Sequence, residues 1–134
     1  WLSVFPKAKY TVLNISQEDL PPKAENIETV VGDAQKMAFE DNKFDLAVSN
    51  QVLEHIEKPE LCLKEVLRVL RPGGLALFTT PNLAAWYNRL GLLFGYQPFN
   101  YTPSPEYRNI GFPKFVKKNN IYDHPRVFTH KALK

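Results

Sequence analysis

Short apolar runs separated by polar and turn-forming segments characterise the first eighty residues of the chain. Four runs are rich in β-branched and aromatic residues and are predicted to be strands: Tyr10–Ile15, Ile27–Val31, Phe44–Ser49 and Leu75–Thr80. The third run is almost continuously apolar, which is typical of a strand that is covered on both faces.

The pattern changes to a helical period between the third and fourth strands. It predicts a helix over Pro59–Leu70, which begins at a proline and should end before Gly73-Gly74. Lys64 and Arg68 are expected to point to solvent. Four apolar residues recur at i, i+3, i+4 and i+7 and should face the sheet: Leu63, Val66, Leu67 and Leu70.

This strand–helix–strand order predicts a parallel α/β sheet, because short connections through a helix join parallel strands. Ligands of such sheets bind outside the carboxyl ends of the strands. Small polar residues gather at all four of these ends: Asn14, Ser16, Asp33, Ser49, Asn50, Gln51, Thr80 and Asn82. The sequence therefore predicts a ligand-binding edge.

Composition supports a globular protein with a real core. The chain has 134 residues, of which 44% are hydrophobic and 23% charged. Its single cysteine, Cys62, cannot form an internal disulfide or a zinc cage, which fits a reducing, cytoplasmic location. No apolar stretch is long enough to predict a membrane span.

The charge is unevenly distributed. Residues 108–134 carry seven basic side chains against Asp123 alone, although the formal net charge of the whole chain is only +3. A basic tail of this kind suits an anionic partner or is simply a solvated face.

Residues 83–127 are predicted to form a functional insertion or lid, because they are too many for an ordinary connection. An apolar helix is expected over 83–95, followed by a long segment rich in proline and aromatic residues. The apolar side chains, Trp86 and Phe99 among them, favour a hydrophobic or lipid-linked ligand. The alternative is that the helix only covers one face of the sheet.

The order of four segments resembles a class I S-adenosylmethionine-dependent methyltransferase of the small-molecule type. These segments are GDA at 32–34, FEDNKFDLAVSNQVLEHI at 39–56, RVLRPGG at 68–74 and TTPN at 79–82. The resemblance implies an α/β, Rossmann-like methyltransferase fold, with a mostly parallel sheet and flanking helices, that is incomplete in this chain. It also implies S-adenosyl-L-methionine as cofactor and a small molecule as methyl acceptor, whose pocket the lid at 83–127 would shape. The later segments PNLAAWYNRLGLLFGYQPF and HPRVFTHKAL resemble sugar- or lipid-associated members, which implies a lipid- or sugar-linked acceptor.

The resemblance assigns the adenosine side of the cofactor to the ends of the first two strands. Asn14, followed by Ile15, stands where the family has an acidic residue that holds the ribose hydroxyls. Asp33 matches the residue that accepts from the adenine amine, and the N–H of Ala34 would meet a ring nitrogen. The alternatives are that Asn14 and Asp33 serve only as turn residues.

The methionine side of the cofactor is assigned to Asn50 and Gln51, which follow the third strand. His55 is a candidate general base, because its unperturbed pKa lies near neutrality. The alternative is that Glu54-His55 only orders the following loop. No metal site is expected, since the three histidines lack ligand spacing in the sequence: His55, His124 and His130.

The glycine-rich loop of the family is missing from the sequence. We therefore expect a single, partial methyltransferase domain over 1–134 that belongs to a longer protein, with an intact mass above 15.4 kDa. A non-catalytic binding or assembly module is the first alternative. An RNA-binding or RNA-modifying protein is the weaker one, and no nucleic-acid partner is expected. It would use aromatic residues of the basic tail: Phe112, Phe115, Tyr122 and Phe128.

Overall fold

The computed structural model describes residues 5–99, 101, 111 and 124–133. Within them, strands and helices follow one another in the predicted order: β1 (Tyr10–Asn14), β2 (Ile27–Val31), β3 (Phe44–Asn50), α1 (Pro59–Val69), β4 (Leu70–Thr79), α2 (Trp86–Leu93) and a short 3-10 helix (His130–Leu133). No helix in this part of the chain is both long and apolar enough to cross a membrane.

Two compact units make up the structure. The first contains Trp1–Asp45 and Lys58–Leu75, and the second contains Leu46–Glu57 and Ala76–Lys134. The assignment of residues 1–134 to one partial domain stays a prediction. Much of the proposed lid, at 102–110 and 112–123, lies outside the described residues, as do Phe112, Phe115 and Tyr122.

In the first unit, β1 and β2 pair in parallel, as the pattern predicts. Their register places Tyr10 opposite Ile27 and Asn14 opposite Val31. Both strands therefore end at the same edge, and the residues that follow them are brought close together.

The buried face of α1 differs from the predicted one. Cys62, Val66 and Val69 are its buried residues, whereas Leu63 and Leu67 are 39% and 72% exposed. The expectation that both leucines pack inward was wrong. The buried stripe contains Cys62 instead, because an unmodified cysteine behaves as a small hydrophobic side chain.

Arg68 was expected to point to solvent, and this was also wrong. Its guanidinium group donates to the side chains of Glu65 and Asp41 and to the backbone oxygens of Phe39 and Met37. A fork of five donors can satisfy several acceptors at once. Arg68 therefore links the loop before β3 to α1 through hydrogen bonds.

Strand β4 begins at Leu70, directly after α1, which is earlier than predicted. Gly73 has a φ of +82°, as expected for the residue after a helix, but it lies within the range of β4. A Cβ on Gly74 would lie 2.9 Å from the backbone oxygen of Arg71 and 3.2 Å from that of Asp45. Gly74 therefore permits close backbone approach within a strand, and Gly73 supplies a positive φ there. Neither residue ends the helix, which stops at Val69.

Strand β3 is hydrogen-bonded to β4. In the second unit, α2 is organised around Asn88, which is completely buried. Its side-chain amide donates to the backbone oxygen of Asn82 at 3.2 Å and accepts from the N–H of Phe99 at 2.8 Å. These bonds fix the helix and the segment after it. Apolar side chains such as Trp86 remain largely exposed.

Candidate functional site

The ends of β1 and β2 bring Asn14 beside the turn that contains Asp33. The backbone oxygen of Asn14 accepts from the N–H of Gly32 at 2.9 Å. The side-chain oxygen of Asn14 accepts from the N–H of Ser16 at 3.0 Å, which closes an Asx turn. Ile15, between them, is 76% exposed and presents an apolar surface at this edge.

Asp33 is exposed and forms a compact turn with Gln35. One carboxylate oxygen accepts the N–H of Gln35 at 2.8 Å, and the side-chain amide of Gln35 contacts both oxygens, at 3.2 and 3.1 Å. A carboxylate has about four lone-pair sites, so Asp33 keeps capacity for a further donor. Ala34, the next residue, is half-buried.

Beneath this edge, Cys62 of α1 is influenced by the charge of Asp33. Burial raises the pKa of the Cys62 thiol, and the carboxylate of Asp33 raises it further. The thiol is therefore kept neutral, as expected of a packing residue rather than a nucleophile.

In the second unit, Asn50 and Gln51 meet the end of β4. Gln51 has a φ of +55°, in the left-handed region that non-glycine residues rarely adopt. Its N–H donates to the backbone oxygen of Thr79 at 3.0 Å and to the hydroxyl oxygen of Thr79 at 3.2 Å. The same hydroxyl donates to the side-chain oxygen of Asn50. Thr79 thus joins the predicted residues, although the sequence drew attention to Thr80 and Asn82.

A buried acid lies in the loop after β3. Glu54 is completely buried, and among the described residues neither of its carboxylate oxygens has a hydrogen-bond partner. Nε2 of His124 lies 3.9 Å from Oε1 of Glu54. The ring of the exposed His55 lies 4.8 Å from the ring of His124, measured between centroids.

Arg126 holds this loop and the C-terminal segment together. Its guanidinium group donates to the backbone oxygen of Ile56 at 2.7 Å and to that of Glu57. Phe128 accepts from the N–H of Leu83 at 2.8 Å. These contacts explain how His124 comes to lie beside Glu54, which the sequence alone did not indicate.

The predicted cofactor residues and the catalytic candidate His55 thus gather in two groups, one within each unit. Asn14, Ile15, Asp33 and Ala34 belong to the first unit, and Asn50, Gln51 and His55 to the second. Within each group, the residues that follow neighbouring strands are brought together.

A family model described as a methyltransferase domain matches residues 3–78, which is more than half of the chain. The chain belongs to this methyltransferase family. The matched range includes Asn14, Asp33, Asn50, Gln51 and all of α1, and it ends just before Thr79.

Characterised relatives of this methyltransferase domain act on different acceptors. The malonyl-[acyl-carrier protein] O-methyltransferase of Methylococcus capsulatus is 34% identical over 59% of the chain and 31% of its own length. The demethylmenaquinone methyltransferase of Paenarthrobacter aurescens is 36% identical over 47% of the chain and 26% of its own length. The matches thus span less than a third of either relative.

Among solved structures, a SAM-dependent methyltransferase of Methanosarcina mazei has a similar fold. It aligns with 98% of this chain and 68% of its own length, with a TM-score of 0.58 and 24% identity. This similarity confirms the predicted Rossmann-like methyltransferase fold. S-adenosylmethionine is the cofactor that the family and its structural neighbours imply.

The residues present are chemically suited to the adenosine part of that cofactor. Asp33 offers an exposed, acceptor-only carboxylate to an amine, and Ile15 offers an exposed apolar surface to a purine. Asn14 is less well suited to the ribose, because its side-chain oxygen already accepts from Ser16.

Proposed function

We propose that the protein transfers the methyl group of S-adenosylmethionine to a small-molecule acceptor. The observation that carries the proposal is the match to the methyltransferase family across the strand ends at Asn14 and Asp33. Asp33 would accept from the adenine amine, and the N–H of Ala34 would donate to a ring nitrogen. Asn50 and Gln51 would line the methionine part.

A hydrophobic or lipid- or sugar-linked acceptor is the finer form of this proposal. Two relatives support it through their own acceptors, a malonyl-acyl-carrier protein and demethylmenaquinone. The exposed aromatic and aliphatic side chains of α2, including Trp86 and Leu93, add an apolar surface to the second unit. These residues would receive the acceptor.

His55 is the proposed general base for a hydroxyl or amine acceptor. Its side chain is exposed and therefore reachable by a substrate. Methyl transfer depends strongly on placing the acceptor in line with the sulfonium methyl group, so the base contributes only part of the rate. The proposed location in the cytoplasm and the lack of a nucleic-acid partner remain predictions.

A second candidate function is a binding or assembly module that keeps the fold without the chemistry. The local bonds of Asn14 and Asp33 favour it, since Ser16 and Gln35 already occupy acceptor sites on both side chains. In this alternative the two residues are turn formers and the cofactor does not bind.

Isothermal titration of the purified protein with S-adenosylmethionine separates the two functions. Micromolar binding supports the methyltransferase. Asp19→Asn is the control and should leave this binding unchanged, because Asp19 is an exposed acid of the loop between β1 and β2. Complete absence of binding supports the module.

Methyl transfer is then measured against a panel of acyl-thioester, quinol and amine acceptors. We expect His55→Asn to lower kcat by about 10²–10⁴-fold without changing the Kd of S-adenosylmethionine. His130→Asn removes an exposed imidazole outside the proposed site and serves as the control. Equal rates for both variants would remove His55 from the mechanism.

A further inference from the structure

Three potential metal ligands converge in the second unit. Glu54, His55 and His124 each offer one ligand atom, and these atoms lie within 4.8 Å of one another. The first two are neighbours in the loop after β3, while His124 comes from the C-terminal segment. The fold thus creates a cluster that linear spacing conceals.

The carboxylate of Glu54 is an independent indication that a cation binds here. The side chain has no exposed surface, and its two oxygens lack hydrogen-bond donors among the described residues. Burial of a carboxylate without compensation costs several kcal/mol in general. A cation beside Glu54 would remove this penalty.

The donor set selects the class of cation. Two imidazoles and one carboxylate suit divalent first-row transition metals, whereas Mg²⁺ and Ca²⁺ prefer oxygen ligands throughout. Ligand atoms around one tetrahedral ion lie about 3.3 Å apart, given bonds of about 2.0–2.2 Å. The ligand atoms of the cluster lie up to 4.8 Å apart, so the three side chains must move slightly closer together to bind one ion.

Closure is feasible because one ligand faces solvent. His55 is exposed, which gives an ion a route to the buried carboxylate. Arg126 meanwhile holds the backbone of residues 56 and 57 and keeps the segment that carries His124 in place. The site is thus largely formed before an ion arrives.

We propose that Glu54, His55 and His124 bind a divalent transition-metal ion. Binding of the ion does not depend on the proposed function. The role of the ion in methyl transfer rests on that function. A metal with an open position would hold an oxygen of the methyl acceptor and acidify it. With the ion bound, His55 would be a ligand, and the role of general base proposed above applies to the protein without metal.

Titration with Co²⁺ tests the site directly, since tetrahedral Co²⁺ has visible absorption that reports nitrogen and oxygen ligation. Any affinity tag is removed and no S-adenosylmethionine is present. We expect one equivalent of Co²⁺ to bind, Zn²⁺ to displace it and Mg²⁺ not to compete. Glu54→Gln and His124→Asn should each weaken binding by about 100-fold or more, because they remove a ligand. His130→Asn should bind like the wild type.

A measurement on the wild-type protein guards against variants that fail to fold. Zn²⁺ should protect His55 and His124, but not His130, from modification by diethylpyrocarbonate. Protection of none of the histidines, or of all three equally, would overturn the proposal.

A buried ion pair is the competing arrangement. If no saturable Co²⁺ binding occurs, the metal proposal is wrong. S-adenosylmethionine binding is measured separately and without metal. The failure of this site is therefore distinguishable from the failure of the methyltransferase proposal.

Discussion

Arg68 grips the carboxylate of Glu65 with two parallel hydrogen bonds, each 2.8 Å long. The pair lies one turn apart on α1, and Glu65 also accepts the N–H of Met37 at 2.7 Å. A bidentate pair that also holds backbone groups contributes more to stability than an isolated surface ion pair. The loop over residues 37–41 therefore depends on it.

Replacing Arg68 should destabilise the fold. We expect Arg68→Met to lower the free energy of unfolding, since several charged hydrogen bonds are lost together. Arg71→Met is the matched control. Arg71 is 55% exposed and pairs with an Asp45 that is 81% exposed, so its loss should cost less than about 1 kcal/mol. Urea denaturation measures both; equal losses would contradict the assigned role of Arg68.

The same pair makes stability sensitive to acid. Hydrogen bonds from Arg68, followed by that from Met37, lower the pKa of Glu65 from 4.5 to about 2. A depressed pKa contributes stability that is complete above the unfolded value and is lost as the pH falls toward the folded one. Stability should thus decrease between about pH 5 and 2. Glu65→Gln should flatten this part of the profile, and an unchanged slope would be evidence against the coupling.

The position of the buried stripe on α1 is tested by two neighbouring residues. Val66 is 5% exposed and Leu67 is 72% exposed. We expect Val66→Ala to cost about 1–3 kcal/mol through the cavity it leaves. Leu67→Ala should stay within about 0.5 kcal/mol, as surface substitutions do. If Leu67→Ala were the more damaging change in thermal unfolding, the leucine face would be the buried one after all.

The left-handed conformation of Gln51 should be visible in substitutions. Gln51→Gly relieves the steric cost of φ +55°, so it should leave stability unchanged or raise it slightly. Gln51→Val places a β-branched residue in a region it avoids and should cost about 1–3 kcal/mol. Thermal unfolding of the two variants compares them; a more stable valine variant would mean that the turn is built differently.

Local signals in the sequence predicted much of the fold. The strand Ile27–Val31 has the predicted bounds, because a short run of β-branched residues between turns strongly favours a strand. Gly73-Gly74 and the face of α1 were misjudged for a different reason. Tertiary packing decides how closely two backbone segments approach at Gly74. It also decides that Cys62 is buried while Leu63 is exposed. A periodic sequence pattern contains neither kind of information.

The candidate sites also combine residues that the sequence could predict with residues that only the tertiary structure brings together. Asn14 and Asp33 could be placed from the sequence, since residues after parallel strands must share an edge. His124 could not, because seventy positions separate it from Glu54 and only the fold closes that distance. Gln35 was also missed, although its side chain occupies both oxygens of Asp33. The signal that could have indicated Gln35 is the tendency of aspartate to accept the N–H of the residue two positions later, as in an Asx turn.

The contact between Asp33 and the adenine amine is the most direct test of the cofactor proposal. Calorimetry should compare S-adenosylhomocysteine with S-inosylhomocysteine, which carries a carbonyl in place of the amine. The wild-type protein should prefer the adenosyl compound by about tenfold or more, since a carboxylate accepts from an amine and repels a carbonyl. Asp33→Asn adds a donor that pairs with the carbonyl, so this preference should vanish or reverse. An equal preference in both proteins, or no binding of either compound to the wild type, would contradict the account.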